Sequence, residues 1–352
     1  MRHQLDSAEA IAAAAAMGEN GAASLARAQS VTALFQGMER IFASNEEPVR
    51  ACNQLLRDVG GFFNFTRLDN IGERAGRLPN VRVDRAETVR AEQVEAVTGA
   101  HYGGLFAGFS PSSYRDEPVR LLTERLERNG ISLKEIAGRR VLDAGCGGGR
   151  YTIAWRLLGA AEVVEVDISA VNIATATQRL AEAQIDGVRF LEGNVLALPF
   201  PATEFDLVFS NGVLHHTVDW RRGIDELLRV LRPGGLGWLY LIENPGGLFW
   251  EMIEIMRQIM ANEDHRLARE ILGMMGLPAN RIFYMLDHVL APVNLRLTPQ
   301  EIEEALGQSG AVDVRRLVRG TDFDRIERIH RAEPYASVKY GVGENRYLFR
   351  RL

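Results

Sequence analysis

The stretch Asp143-Ala144-Gly145-Cys146-Gly147-Gly148-Gly149 constrains this chain more narrowly than any other. The apolar stub Arg140-Val141-Leu142 runs into it and Tyr151-Thr152-Ile153-Ala154-Trp155 follows, so a strand, a glycine hinge and a helix start are packed into one short segment. Glycines at a strand end let the backbone approach a ligand without Cβ interference, and the first amides of the next helix can receive an anionic group. The polar end of a ligand belongs there, on an α/β sheet.

The next acid narrows the ligand. Ala161 to Val166 reads as a second short buried strand, with Asp167 at its C-terminal tip, 22 residues beyond Gly145 (167 minus 145). A carboxylate in that place can accept from both hydroxyls of a ribose. A dinucleotide fingerprint starting at Gly145 and Gly147 needs glycine at position 150, where Arg150 stands. The chain instead carries an acid at the entrance of the turn, where it repels a pyrophosphate and suits an ammonium. S-adenosylmethionine supplies an ammonium, a carboxylate and a sulfonium cation, and it is the expected cofactor.

Val141 to Gly149 resembles the first motif of the class I, Rossmann-like S-adenosylmethionine-dependent methyltransferases. Four more segments fall in that family's order. Val163-Val164-Glu165-Val166-Asp167 resembles its ribose strand and Gly193-Asn194-Val195-Leu196-Ala197-Leu198-Pro199-Phe200 its adenine loop. Phe205-Asp206-Leu207-Val208-Phe209-Ser210-Asn211-Gly212-Val213-Leu214-His215-His216 resembles its fourth strand, and Leu231-Arg232-Pro233-Gly234-Gly235 its turn into the fifth. The likeness covers residues 101 to 242 well, the C-terminal strands weakly and the N-terminal region not at all. Within the family it is most similar to the small-molecule methyltransferases of ubiquinone and menaquinone biosynthesis.

That resemblance implies a doubly wound, mostly parallel seven-stranded α/β sheet. It also implies a cofactor-binding set of Asp143, Gly145, Cys146, Gly147, Asp167, Ile168, Asn194, Val195, Asn211 and Tyr102. Asn194 departs from the pattern, because such enzymes commonly carry Asp there; its amide can still accept from the adenine amino group and donate to a ring nitrogen. Asn211 is expected to frame the methionine end of the cofactor, and Cys146 to be a small buried filler of the turn.

Composition fits an enzyme with ample core, 46% of its 352 residues being apolar. Two cysteines, Cys52 and Cys146, cannot make a disulfide framework or a thiolate zinc site, so no metal is expected. The alanine-rich opening follows Asp6 and Glu9 and ends at Gly18-Glu19-Asn20-Gly21, unlike a signal peptide. No segment approaches the roughly 18 apolar residues a membrane span needs. A cytoplasmic protein without a membrane partner is expected. A net charge of -5 argues against a nucleic-acid substrate. The arginine-rich tail, with Arg315, Arg316, Arg319, Arg325, Arg328, Arg331, Lys339, Arg346, Arg350 and Arg351, reads as solvated surface.

Four regions follow. Residues 1–100 read as a helical cap or dimerisation element, because Val31, Leu34, Phe35, Met38, Ile41 and Phe42 share one helical face. A second helix opens at Pro48 and is expected to stop at Gly60-Gly61. The face of either helix must be buried against the catalytic domain or a second copy of the chain; the second case would give a homodimer through this region or the later insertion, and the pattern decides neither. Residues 101–242 hold the methyltransferase core, with strands near 139–143, 162–167, 187–191, 205–210 and 235–242. Residues 243–304 form a helical insertion after the fifth strand, with the apolar stripe Phe249, Met252, Ile253, Met256, Ile259 and Met260, expected as core or as a surface shaping acceptor choice. Residues 305–352 complete the sheet with strands at Val312 to Val318 and Asn345 to Arg350.

Methyl transfer is an in-line displacement, so alignment and exclusion of water are the protein's main tasks. A base is required only where the acceptor has a proton to lose. His215 and His216 are the candidates, His216 preferred, because an imidazole near pKa 6.5 suits the task and adjacent residues point in different directions. Packing or loop hydrogen bonding is the competing role. Tyr102 is expected to contact the cofactor from a closing segment hinged at Gly103-Gly104, and Asp287-His288 to sit near the pocket or on the surface. The expected activity is methylation of an oxygen or nitrogen of a small-molecule acceptor. Ser210-Asn211-Gly212-Val213 lacks the Asn/Asp-Pro-Pro-Tyr pattern of adenine and glutamine methylation, and neither cysteine stands where a pyrimidine C5 nucleophile is expected. Both absences count against an RNA or protein methyltransferase; a non-catalytic cofactor-binding scaffold is the third reading.

Overall fold

The computed structural model describes residues 21–66, 91–102, 105–106, 108–261 and 263–352. The alanine-rich opening and the Gly103-Gly104 pair lie outside these residues. The chain divides into two compact units, one made of Met1–Asp84, Gly246–Ala291 and Ala332–Val342, the other of Arg85–Pro245, Pro292–Arg331 and Gly343–Leu352. The region expected as one insertion, 243–304, is thus shared between them, and the helix Ala91–Tyr102 belongs with the second unit.

The second unit is built on seven strands: β1 (Arg140–Ala144), β2 (Glu162–Asp167), β3 (Val188–Glu192), β4 (Phe205–Asn211), β5 (Leu231–Leu241), β6 (Ala311–Arg316) and β7 (Asn345–Arg351). Their spatial order is β3-β2-β1-β4-β5-β7-β6, with β7 antiparallel to both neighbours. Strand alternation assigns the apolar side chains to two layers. Leu142, Val164, Val208 and Leu239 pack on one face, and Val141, Val163, Leu207, Phe209 and Trp238 on the other. Helices cover both faces, which is why β1 and β2 read as continuous apolar runs. β5 starts four residues earlier than its sequence pattern indicates, at Leu231, because a register shift between Phe205 and Leu207 carries Pro233-Gly234-Gly235 along the edge of β4.

The first unit is helical: Gly21–Ala43, Pro48–Thr66, Gly247–Ile259, His265–Met274, Ala279–Val289 and Ala336–Tyr340. The second helix runs through Gly60-Gly61 to Thr66, so that pair does not end it. Helix propensity against glycine amounts to only about 1 kcal/mol per residue, too little to end a helix by itself. Val31, Leu34, Phe35, Met38 and Phe42 are buried, as are Phe249, Met252, Ile253, Met256, Ile259 and Met260, so the methionine stripe is core. A buried lysine and a half-buried arginine close the helix ends here. Lys339 Nζ donates to the carbonyls of Phe42 (3.0 Å) and Ser44 (2.9 Å). Arg257 donates to the carbonyls of Val289 (3.3 Å) and Ala291 (2.9 Å).

The C-terminal cations include a second departure from the sequence reading. Lys339, Arg325 and Arg346 are buried, not solvated. Within the sheet unit Asp324 receives a two-pronged bond from Arg125 (2.8 Å from both Nε and Nη2) and a third from Arg346 (3.0 Å). Arg325 Nε donates to Glu243 (2.8 Å), and Glu344 accepts the backbone amides of Arg325 (2.9 Å) and Ile326 (2.8 Å). A run of alternating charges cannot by itself be told from a surface. Here the acids that pair with these cations come from three separate parts of the chain.

Candidate active site

The glycine turn after β1 and the tip of β2 form one construction. Gly145 (φ 82°) and Gly147 (φ 59°) both hold left-handed backbone. A Cβ at Gly145 would collide with Val213, and one at Gly147 would lie 2.7 Å from the ring of Phe106. The turn is tied to β2 by the Gly145 amide on the Val166 carbonyl (2.7 Å) and by the Gly147 amide on Asp167 Oδ2 (2.8 Å). Asp167 Oδ1 accepts from the Ser169 amide (2.9 Å) and Asn172 Nδ2 (3.3 Å). Each carboxylate oxygen retains capacity for a further donor. Burial raises the Asp167 carboxyl above its ordinary range, against the pull of those backbone amides.

Asp143, 1% exposed at the end of β1, accepts from Thr152 Oγ1 (2.7 Å). Burial, reinforced by Asp167, pushes its carboxyl up to about 7, with only Thr152 opposing. Directly across the strand pair from Asp143 stands Glu165, fully buried, its carboxyl also raised by burial and by Asp143. Cys146 is half-buried, not a buried filler, and its thiol donates to Glu165. Burial and Glu165 drive the thiol well above its usual range, so it is not a nucleophile.

Beyond the tip of β2, Ile168 and Glu192 line an open groove of about 460 Å³ with Ala96, Gly99, Ala100, Ser169, Ala170 and Val171. Val195 is buried in the core. Asn194 Oδ1 accepts the Leu196 amide (2.8 Å), which holds the loop and leaves the oxygen a second lone pair. The helix Trp220–Val230 holds that loop, through Arg229 on the carbonyls of Phe200 (2.8 Å) and Leu198 (3.0 Å), and Glu226 on the Leu198 amide (2.8 Å).

The two histidines after β4 have different surroundings. His215, 2% exposed, accepts the Ile242 amide at Nδ1 (3.2 Å), and its own carbonyl accepts the Leu295 amide (2.9 Å). It braces the ends of β4 and β5. His216 Nδ1 lies 2.6 Å from the Val293 carbonyl, an acceptor only, so this nitrogen carries the proton. Its Nε2 lies 3.0 Å from the Tyr102 hydroxyl. Tyr102 therefore reaches the histidine, while the ring against the glycine turn is that of Phe106. Asn211 accepts from Trp238 Nε1 (3.2 Å). Asp287 and His288 lie in the helical unit, where Phe249, Trp250 and Tyr284 surround the imidazole.

The strand order and the turn agree with what the chain is similar to. Residues 142–239 match the family described as a methyltransferase domain. Over that segment the chain is similar to a methyltransferase domain. Its relatives include the O-methyltransferase rstn1 of Aspergillus nomiae, 29% identical over 42% of this chain and 66% of that protein. The 27-O-demethylrifamycin SV methyltransferase of Amycolatopsis mediterranei is 36% identical over 39% of this chain and 51% of its own length. The demethylmenaquinone methyltransferase of Clavibacter sepedonicus is 40% identical over 28% and 40%. The matches thus span about two-fifths to two-thirds of these relatives.

The acidic strand tips fit a cationic adenosyl cofactor on their own chemistry. Burial raises both carboxyls, that of Asp143 further through the nearby Asp167, and a ligand bearing an ammonium and a sulfonium would offset the cost of ionising them there. Sequence reasoning missed Glu165, Thr152 and Phe106. The first had a visible signal, an acid in the middle of an otherwise apolar strand. The other two had none, because their roles depend on packing over the turn.

The pH dependence follows with its sign. A cation favours ionised Asp143, whose carboxyl protonates as pH falls through about 7. The affinity for S-adenosylhomocysteine, which keeps the ammonium, is expected to fall up to about tenfold between pH 8 and 6. Calorimetric titration checks this, and Asp143→Asn should flatten the dependence. An equally steep fall in that variant would remove Asp143 from the assignment.

Proposed function

We propose that this protein transfers the methyl group of S-adenosylmethionine to an oxygen or nitrogen of a small-molecule acceptor. The observation that carries the reading is the joining of two acidic strand tips through the glycine turn, the Gly147 amide resting on Asp167 at 2.8 Å. Asp167 takes the ribose hydroxyls, and Asp143 supplies the negative field for the ammonium. Gly145, Cys146 and Gly147 give the backbone against which the methionine end lies, with Asn211 beyond it. Ile168, Asn194 and Val195 border the adenine. The cofactor supplies an electrophilic methyl carbon; the chain's residues orient the reactants and exclude water. A small acceptor is supported by the named relatives, which include methyltransferases of rifamycin and menaquinone precursors. Free Cys52 and Cys146 suit a reducing compartment such as the cytoplasm, and among the described residues no helix is long and apolar enough to cross a membrane.

The test is incubation of the pure protein with methyl-labelled cofactor and size-fractionated cell extract. Label is expected in the small-molecule fraction. Label in RNA or protein would replace the acceptor class, and binding without transfer would favour a scaffold.

A further inference from the structure

We infer that Glu165 makes the site select the sulfonium form of the cofactor over its thioether product, by adding a third carboxyl to a buried cluster that no cation of the described residues offsets. This rests on the cofactor reading above and assigns a discrimination to that same site.

Three observations combine. The first is placement. Glu165 stands directly across the parallel strand pair from Asp143 and two residues before Asp167, so strand alternation puts the three carboxyls on one face of β1 and β2. All three residues are less than a tenth exposed. On its other side Glu165 has only the apolar Phe190 of β3 as its register partner.

The second observation is hydrogen bonding. Glu165 Oε1 receives the Cys146 thiol, while Oε2 is buried with no hydrogen-bond partner among the described residues. That oxygen lies under the glycine turn, where a Cβ at Gly149 would come within 3.1 Å of it. A carboxylate served by one weak donor is poorly solvated, so the acid keeps its proton until a positive charge arrives. Burial, with Asp143 next in effect, raises the carboxyl well above its ordinary range.

The third observation is charge. Arg150 and Arg179 bear on Tyr114 beside the cluster, and they pair with Glu117 (2.6 Å) and Glu182 (3.6 Å). Burial keeps the Tyr114 phenol and the Cys146 thiol in their neutral forms. Asp143, Glu165 and Asp167 are raised by burial, the first two also by neighbouring carboxyls, and hydrogen bonds alone oppose the rise. The offsetting cation must therefore come with the ligand.

S-adenosylmethionine brings an ammonium, a sulfonium and one carboxylate, a net single positive charge. When the methyl carbon leaves, the electron pair of the sulfur–carbon bond stays on sulfur, and S-adenosylhomocysteine is net neutral. Glu165 can ionise beside the first ligand and stays protonated beside the second. It acts through its field on the bound ligand and determines specificity without contact.

The experiment is calorimetric titration at pH 7, without acceptor, of S-adenosylmethionine and S-adenosylhomocysteine into wild type, Glu165→Gln and Glu165→Asp. Gln keeps the shape and an oxygen for the Cys146 thiol. The ratio of the two affinities is expected to fall about tenfold in Glu165→Gln, in favour of the product, with S-adenosylhomocysteine itself bound within about threefold of wild type. Glu165→Asp should recover part of the ratio. Repeating the titrations in buffers of different ionisation enthalpy counts protons: wild type should release more with S-adenosylmethionine than with S-adenosylhomocysteine, and Glu165→Gln should lose that difference. An unchanged ratio in Glu165→Gln overturns the proposal; if both affinities drop together, Glu165 is a brace of the turn through Cys146. Failure of wild type to bind either ligand overturns the cofactor reading itself, a separate result.

Discussion

Replacing Asp324 with Ala is expected to destabilise the sheet unit by about 3–5 kcal/mol, the range seen when one partner of a buried ion pair is removed. Arg125 makes a bidentate contact with this carboxylate and Arg346 a third bond. Both guanidinium groups are less than a tenth exposed. Truncating the acid leaves two buried cations without their main acceptor, and the loss far exceeds that of the contact alone. For a unit of this size the melting temperature should drop by roughly 10 °C. Asp324→Asn, which keeps one acceptor oxygen, should lose less. The two guanidinium groups hold the Asp324 carboxyl far below its ordinary range. The stability it contributes is therefore complete above the unfolded carboxyl value near 4 and is lost as pH falls below it. Thermal unfolding between pH 7 and 3 checks the sign: the difference between wild type and Asp324→Asn should shrink on acidification, and a growing difference would contradict it.

Asp167→Ala is expected to weaken cofactor binding by about a hundredfold, with a smaller effect on stability. Two hydroxyl hydrogen bonds to an ionised acceptor are lost, each contributing about 1.5 kcal/mol or more. In addition the Gly147 amide loses its 2.8 Å partner, so the glycine turn is no longer held to β2. Calorimetry with S-adenosylhomocysteine measures the first effect. Hydrogen exchange at Gly147 and Ser169 measures the second, because both amides end on this carboxylate. Unchanged affinity with faster exchange would make Asp167 a brace of the turn and not a ribose ligand.

Much of the site was legible where it depended on neighbours in sequence. The run Val141 to Gly149 sets a strand, a left-handed turn and a helix start by local backbone preference, and alternating apolar segments give a parallel sheet. Legibility ended where identity is settled by a distant contact. His215 and His216 looked alike in sequence; one braces strand ends, and the other joins a hydroxyl and a carbonyl. Gly60-Gly61 looked like a stop, and the helix runs past it.

By itself, then, the sequence determined the doubly wound sheet, the glycine turn and the two acidic tips, since each follows from periodicity, turn chemistry and spacing within a few tens of residues. Tertiary structure alone decided what each histidine touches, because Tyr102 and Val293 lie 114 and 77 residues from His216 along the chain. It also decided that Arg325 and Arg346 are interior. A hydrogen bond is specified within a few tenths of an ångström, and only the folded backbone fixes distances that finely between remote residues.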